Sequence, residues 1–271
     1  MTSAYADILT RIEAALHAAA EVFGRFTPGA IDAEFKAGHD PVTEADRAID
    51  AILRQNLLHD GEGWLSEESV DDLSRLDKES VWVVDPLDGT REFVKGIPEF
   101  CASIGYVKNG SPVAGGILNP VTNETFVGAV DSGVLYNGRP ARTSQRKDLQ
   151  GASALASRSE VKRGEWKKFE KGPLHIVAMG SVAYKLALVS AGLVDITFTL
   201  VPKNEWDVAA GVALVNSAGG FVSTLENGPL ECNRRNPLIT GLIACGPNLR
   251  EPLLTLLESH MQPAGSQSLR E

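Results

Sequence analysis

A short apolar run, Val81-Trp82-Val83-Val84, breaks off at Asp85-Pro86-Leu87-Asp88-Gly89-Thr90, and this junction constrains the chain more than any other segment. The run has the length and β-branched content of a buried strand. Two carboxylates three residues apart at the strand's end, with Pro between them and Gly after, form a rigid acidic turn. Thr90 then opens a segment whose free backbone N–H groups can receive an anion. Acids beside an anion cradle make chemical sense when divalent cations sit between the carboxylates and a phosphate. The plainer alternative is a strand-to-helix turn in which Asp88 only caps.

Three further segments carry acids in patterned surroundings. In Trp64-Leu65-Ser66-Glu67-Glu68-Ser69, Glu67 lies two residues after the apolar Leu65, so a short strand here turns Glu67 inward, while Glu68 is expected on a solvated face. In Asp40-Pro41-Val42-Thr43-Glu44-Ala45-Asp46, Thr43 and Asp46 have the spacing of a capping box, with Asp for the usual Glu or Gln. Ile49, Ile52, Leu53 and Leu57 follow at helical spacing, so Asp46 serves either as a cap alone or also at a site. Glu205-Trp206-Asp207 leads into a small-residue helix through Ala209-Ala210-Gly211, with Asp207 at the end where the dipole favours a carboxylate.

The rest of the chain reads as mixed α and β. Ile8, Leu9, Ile12, Leu16, Ala19, Val22 and Phe23 mark an amphipathic first helix, capped by Ser3 or Thr2. Strands follow from Val81 to about Tyr136, broken at Lys108-Asn109-Gly110 and Asn137-Gly138. The polar residues 141–170 separate an N-terminal α+β half, 1–145, from a C-terminal α/β half, 146–271. That second half is expected to run strand Leu174–Ala178, helix from Ser181, strand Leu193–Leu200 and helix from about Asp207. Strands Gly220–Leu225 and Leu238–Cys245 follow, then a helix from Pro247 to about His260 and a frayed tail, Pro263–Glu271. Gly115-Gly116 and Gly219-Gly220 lack a dinucleotide fingerprint and read as turns or close-packing sites.

Charge and cysteine usage exclude several classes. A net charge of −9 argues against a nucleic-acid polymer as partner. No stretch approaches the roughly 20 apolar residues needed to span a bilayer, and Met1–Phe26 carries acids without a long apolar run, so no leader or membrane partner is expected and the cytoplasm is the expected location. Cys101, Cys232 and Cys245 are too few and scattered for a disulfide framework or thiolate site. His17, His39, His59, His175 and His260 show no zinc spacing, and Ser157-Arg158-Ser159 lies outside any nucleophile-elbow frame. Four inward carboxylates would repel one another without cations, and oxygen-only ligands suit Mg²⁺.

Taken in order, the four acidic segments resemble the inositol monophosphatase superfamily of Mg-dependent, lithium-sensitive phosphatases. Asp-Gly-Thr-Arg-Glu-Phe is most similar to its 3′(2′),5′-bisphosphate nucleotidase branch. The resemblance implies a layered α/β/α/β/α sandwich of the sugar-phosphatase type and two or three Mg²⁺ ions. It implies that Glu67, Asp85 and the Leu87 carbonyl hold one ion, that Asp85, Asp88 and Asp207 hold a second, and that a weaker third lies near Glu67. Thr90, supported by Asp46, would orient the attacking water; Gly89 and Thr90 N–H groups would bind the transferred phosphate.

Substrate choice rests on the second half. The inositol-binding acid of the monophosphatase branch lies seven residues before the Trp-Asp aspartate, where this chain has Leu200. Lys185, four residues after Ser181, matches a lysine of the nucleotidase branch, and both are expected at the substrate; otherwise Lys185 is a solvated helix residue. Arg158 and Lys203 are further candidates for a second anion. The expected reaction is hydrolysis of 3′-phosphoadenosine 5′-phosphate to AMP, with inositol or sugar monophosphates as the alternative substrates. A catalytically silent nucleotide- or metal-binding module is the reading from another class; it is disfavoured because no ligand position is lost. A small phosphorylated metabolite is the expected partner, and a homodimer stays open.

Overall fold

The computed structural model describes residues 3–35 and 41–261. Helix α1 (Ala6–Phe23) precedes a short antiparallel pair, β1 (Glu34–Phe35) and β2 (Pro41–Val42), and then α2 (Glu44–Leu57). The first sheet follows in chain order: β3 (Gly63–Ser66), β4 (Ser80–Asp88), β5 (Cys101–Lys108), β6 (Ser111–Asn119), β7 (Glu124–Ala129), β8 (Gly133–Tyr136) and β9 (Arg139–Ala141). Only β3 and β4 pair in parallel; the others form an antiparallel meander. The short helix α3 (Thr90–Val94) leaves the end of β4.

The second half supplies β10 (Ser153–Ser157), α4 (Arg158–Arg163), β11 (His175–Met179), α5 (Val182–Ser190), β12 (Ile196–Thr199), β13 (Lys203–Asn204) and α6 (Glu205–Ser217). It closes with β14 (Phe221–Thr224), β15 (Leu238–Ile239), β16 (Leu242–Cys245) and α7 (Arg250–Met261). Its main sheet has the order β11-β10-β12-β16-β14.

Side-chain alternation stacks these elements into five layers. Trp82 and Val84 of β4 point into a core with Ile12 and Leu16 of α1 and Ile49 and Leu53 of α2. Val81 and Val83 point the other way, toward Ala209 of α6. Both faces of this strand are therefore dry, which is why its sequence is a continuous apolar run. Leu186 and Val189 of α5 and Val208 and Val212 of α6 pack onward against Leu242 and Ala244 of the second sheet. The far face of that sheet meets Trp166 and α7 through Leu253 and Leu257. The order α1α2, sheet, α5α6, sheet, α4α7 is the expected α/β/α/β/α sandwich.

Several expectations change in detail. Helix α1 starts at Ala6 with Tyr5 before it and no side-chain cap; the Ser3 hydroxyl donates to Asp131 and accepts the Tyr5 N–H, ahead of the helix. Thr2, Asp40, His39 and the tail Pro263–Glu271 lie outside the described residues. Strand β10 falls within the segment read as a polar boundary. The strand expected over Leu238–Cys245 is two, parted at Gly241, whose φ of 147° interrupts the ladder. Gly115 is a close-packing position: a Cβ there would lie 2.6 Å from the Ala210 carbonyl oxygen. The three cysteines are free and buried. Among the described residues, no helix is long and apolar enough to cross a membrane.

Candidate active site

Strand β4 loses register with β5 between Asp85 and Asp88, as expected where Pro86 cannot donate to the ladder. Asp85 Oδ1 accepts the Leu87 N–H at 3.0 Å, folding the acid back onto its own turn. Gly89 closes the turn with φ of 102°, and a Cβ there would lie 2.8 Å from the Glu99 carbonyl oxygen, so glycine is required on both counts. Helix α3 then begins at Thr90.

Three other elements bring acids to this turn. Glu67 follows the last residue of β3, and its N–H donates to the Val84 carbonyl at 3.3 Å, extending the pairing one residue past the strand. Asp207 is in the first turn of α6, where Oδ2 accepts the Asn204 N–H at 2.9 Å. Glu67, Asp85 and Asp207 each present an oxygen within 4.8 Å of the others. Asp88 stands beside them, held by α5: its Oδ2 accepts the Ser181 hydroxyl at 2.7 Å and the Ala183 N–H at 2.6 Å. Asp88 is thus a cap after all, but for a helix almost a hundred residues along the chain and not for its own.

Asp46 likewise combines both readings. Oδ2 accepts the Thr43 N–H at 2.7 Å and hydroxyl at 2.6 Å, completing the capping box of α2. Oδ1 lies 3.0 Å from the Thr90 hydroxyl, which is also 3.0 Å from the Leu87 carbonyl oxygen.

Burial pushes the carboxyls of Asp85 and Asp207 well above the usual carboxylate range, and the charges of their acidic neighbours push further in the same direction. Asp88 is raised by burial, against its bonds to Ala183 and Ser181. Asp46 is raised by burial, opposed by its threonine donors. A group of buried and half-buried carboxylate oxygens that destabilise one another as anions fits hard divalent cations.

The cleft above these acids holds about 410 Å³. Its lining also includes Arg158, Arg163, Lys185 and Lys203 from the second half of the chain. Lys185 is not on a solvated face: it is 2% exposed, and Nζ donates to the carbonyls of Ser181 at 2.9 Å, Gly180 at 3.3 Å and Met179 at 3.4 Å. Burial lowers its pKa to about 8, partly offset by Asp88. These bonds gather the turn before α5, in which Ser181 takes the uncommon φ of 49°. Arg158 pairs with Glu99 and lies 3.9 Å from Glu92, and Glu99 also accepts the Gly180 N–H at 2.7 Å. Lys203 Nζ is 3.3 Å from Glu160. Leu200 is absent from the cleft lining and packs against the core that contains Phe198 and Trp166. Glu92, Glu99 and Glu160 are the residues that sequence reading missed. Glu92 stood inside the acidic motif; Glu99 and Glu160 meet their cations only through the fold.

The model of the Inositol monophosphatase family matches residues 6–262. The inositol-1-monophosphatase of Rhizobium meliloti is 32% identical over 225 residues, covering 80% of this chain and 82% of that protein. Nus factor SuhB of Escherichia coli K12 is 32% identical over 252 residues, covering 88% of this chain and 90% of its own. Among solved structures, the inositol monophosphatase from Anabaena superposes with a TM-score of 0.81 at 28% identity, covering 98% of this chain and all of that one.

Proposed function

The chain belongs to the inositol monophosphatase family and is a metal-dependent phosphatase, and from that premise we propose that it is a Mg-dependent 3′(2′),5′-bisphosphate nucleotidase acting on 3′-phosphoadenosine 5′-phosphate. The observation that carries the reading is the polarity of the cleft. The acids of the cluster and cations of the second half line one cleft, as suits a substrate with one phosphate to lose and a second to hold. Leu200, packed into apolar surroundings, provides no acid for inositol hydroxyls.

In this reading Glu67, Asp85, Asp88, Asp207 and the Leu87 carbonyl hold two or three Mg²⁺ ions. When bound, the ions lower the pKa of water and offset charge on the attacking and leaving oxygens. The Thr90 hydroxyl has one proton to give. Donated to Asp46, it leaves the Leu87 carbonyl free for a cation and a Thr90 lone pair free to orient water. Gly89 and Thr90 N–H groups bind the phosphate being transferred. Water oxygen bonds to phosphorus as the ester P–O bond breaks, a proton from that water passes to the departing 3′-oxygen, and AMP and phosphate leave with no covalent phosphoenzyme. Because Lys185 gives its protons to three carbonyls, the remote phosphate falls to Arg158 and Lys203, and Lys185 with Ser181 shapes the wall behind it. The division of labour in this reading is between halves 1–145 and 146–271.

Hydrolysis of inositol or sugar monophosphates is the second reading, supported by the relative named inositol-1-monophosphatase. Phosphate release with Mg²⁺ over nucleotide bisphosphates, inositol phosphates and sugar phosphates separates the two. The expected kcat/KM for 3′-phosphoadenosine 5′-phosphate exceeds that for inositol 1-phosphate by at least about tenfold, roughly 1.4 kcal/mol. A preference for inositol 1-phosphate overturns the nucleotidase assignment and leaves the phosphatase intact.

A further inference from the structure

Asp50 lies on α2 one turn beyond Asp46 and is only 9% exposed. Its Oδ1 accepts the Ser66 hydroxyl at 2.5 Å, and its Oδ2 accepts the Ser69 hydroxyl at 2.8 Å. These two serines bracket Glu67-Glu68. The bracket is closed further inside the turn: Ser66 Oγ accepts the Glu68 N–H at 3.3 Å, and Ser69 Oγ accepts the Trp64 indole N–H at 3.4 Å. Behind it, the Glu67 N–H is tied to Val84.

Both carboxylate oxygens of Asp50 are therefore spent on hydroxyls, with no guanidinium or ammonium among these partners. The two hydroxyl bonds offset much of the cost of burying the charge, and what they add is geometry. A loop of four residues is fixed at both ends and in the middle, and the side chain it projects is Glu67, which must meet Asp85 and Asp207 across the cleft. Ligand oxygens must be held to within about 0.5 Å for a cation that demands regular coordination.

We propose that Asp50 is a positioning residue for the metal centre, fixing Glu67 through Ser66 and Ser69. The proposal rests on the metal-phosphatase reading but not on the identity of the substrate. Mn²⁺ serves as the probe, titrated into EDTA-stripped protein and followed by calorimetry and by the electron paramagnetic resonance of the free ion. Glu67→Gln calibrates the loss of the ligand itself. Asp50→Ala and the double variant Ser66→Ala/Ser69→Ala are expected to weaken Mn²⁺ binding by about 10–100-fold, as removal of groups that orient ligands does. Asp50→Asn, which keeps one acceptor, should fall between them and wild type. The double variant leaves α2 untouched, so it decides the matter even if Asp50→Ala fails to fold. Mn²⁺ affinity within about twofold of wild type in the double variant, with Glu67→Gln weakened, overturns the role of Asp50. Undiminished affinity in Glu67→Gln overturns the metal reading and the proposal with it.

Discussion

The carboxylate of Asp207 accepts the Asn204 N–H through Oδ2 and faces Glu67 and Asp85, so cap and ligand are separable by substitution. Asp207→Asn keeps an acceptor for Asn204 and loses the charge. It should lower kcat by at least about a hundredfold, on the order of 2.7 kcal/mol of transition-state stabilisation. Without metal the effect on stability has the opposite sign. The folded state holds the Asp85 and Asp207 protons to higher pH than the unfolded chain does, so this contribution is full below the unfolded value near 3.8 and is lost as pH rises through the folded values. In EDTA the melting temperature of Asp207→Asn should therefore gain on wild type as pH is raised from about 5 to about 8. Saturating Mg²⁺ should reverse the order, since the ions stabilise wild type more. Lys185 and Arg158 make a second pair of tests. Lys185→Met should lower kcat/KM on bisphosphate and monophosphate substrates alike, because the turn that holds Asp88 is lost. Arg158→Ala should lower it mainly on the bisphosphate. At this scale the acids were legible because each stands in a patterned turn. The placement of Lys185 was not, because nothing in local sequence says that its ammonium folds back onto residues 179–181.

Helix α6 has close neighbours on both sides. A Cβ on Gly115 would meet Ala210 backbone, one on Gly105 would lie 2.8 Å from the Ala209 Cβ, and one on Gly211 would lie 2.3 Å from the Leu186 Cβ. Small residues on both sides let the helix lie almost on the sheet, which is how Asp207 reaches the end of β4. Gly115→Ala should cost about 1–3 kcal/mol through overpacking against backbone that cannot swing aside. At about 2–4 °C per kcal/mol for a chain of this size, calorimetry should record a drop of several degrees. Mg²⁺ activation should shift to higher concentration as Asp207 is displaced. Gly138→Ala, in open space on a turn with φ of 73°, serves as a control expected to keep Mg²⁺ activation unchanged. Strong periodicity made α1, α2 and the meander readable. Strand β10 escaped because Ser153-Ala154-Leu155-Ala156-Ser157 is small and weakly apolar, and its strand character comes from neighbours on both sides.

A loop of the first half also makes polar contacts with a loop of the second. Arg75, 1% exposed, binds the Asp71 carboxylate, the Asn233 side chain and the Arg234 carbonyl. Glu205, at the start of α6, accepts the N–H groups of Asn233 and Arg234. Arg75→Met leaves Asp71, the Asn233 side-chain oxygen and the Arg234 carbonyl without their donor and should cost about 2 kcal/mol or more, read as a lower melting temperature. The whole enzyme should lose activity in EDTA and regain it with Mg²⁺, while Ca²⁺, larger and looser in its coordination, should restore little. Full activity in EDTA, or rescue by Zn²⁺ alone, contradicts the oxygen-ligand centre. Composition and charge had indicated a protein of this broad kind, but no linear pattern foretold that a helix from the second half would be the floor-mate of the first sheet. That arrangement has a consequence in time. Glu67, Asp85 and Asp88 leave the ribosome long before Asp207, and α6 packs on β4, β5, β6 and β7 only once it has been synthesised. A nascent or truncated chain that stops short of α6 carries the acids of β3 and β4 without Asp207, in a pocket open on one side, and no such fragment is expected to hydrolyse a phosphate ester.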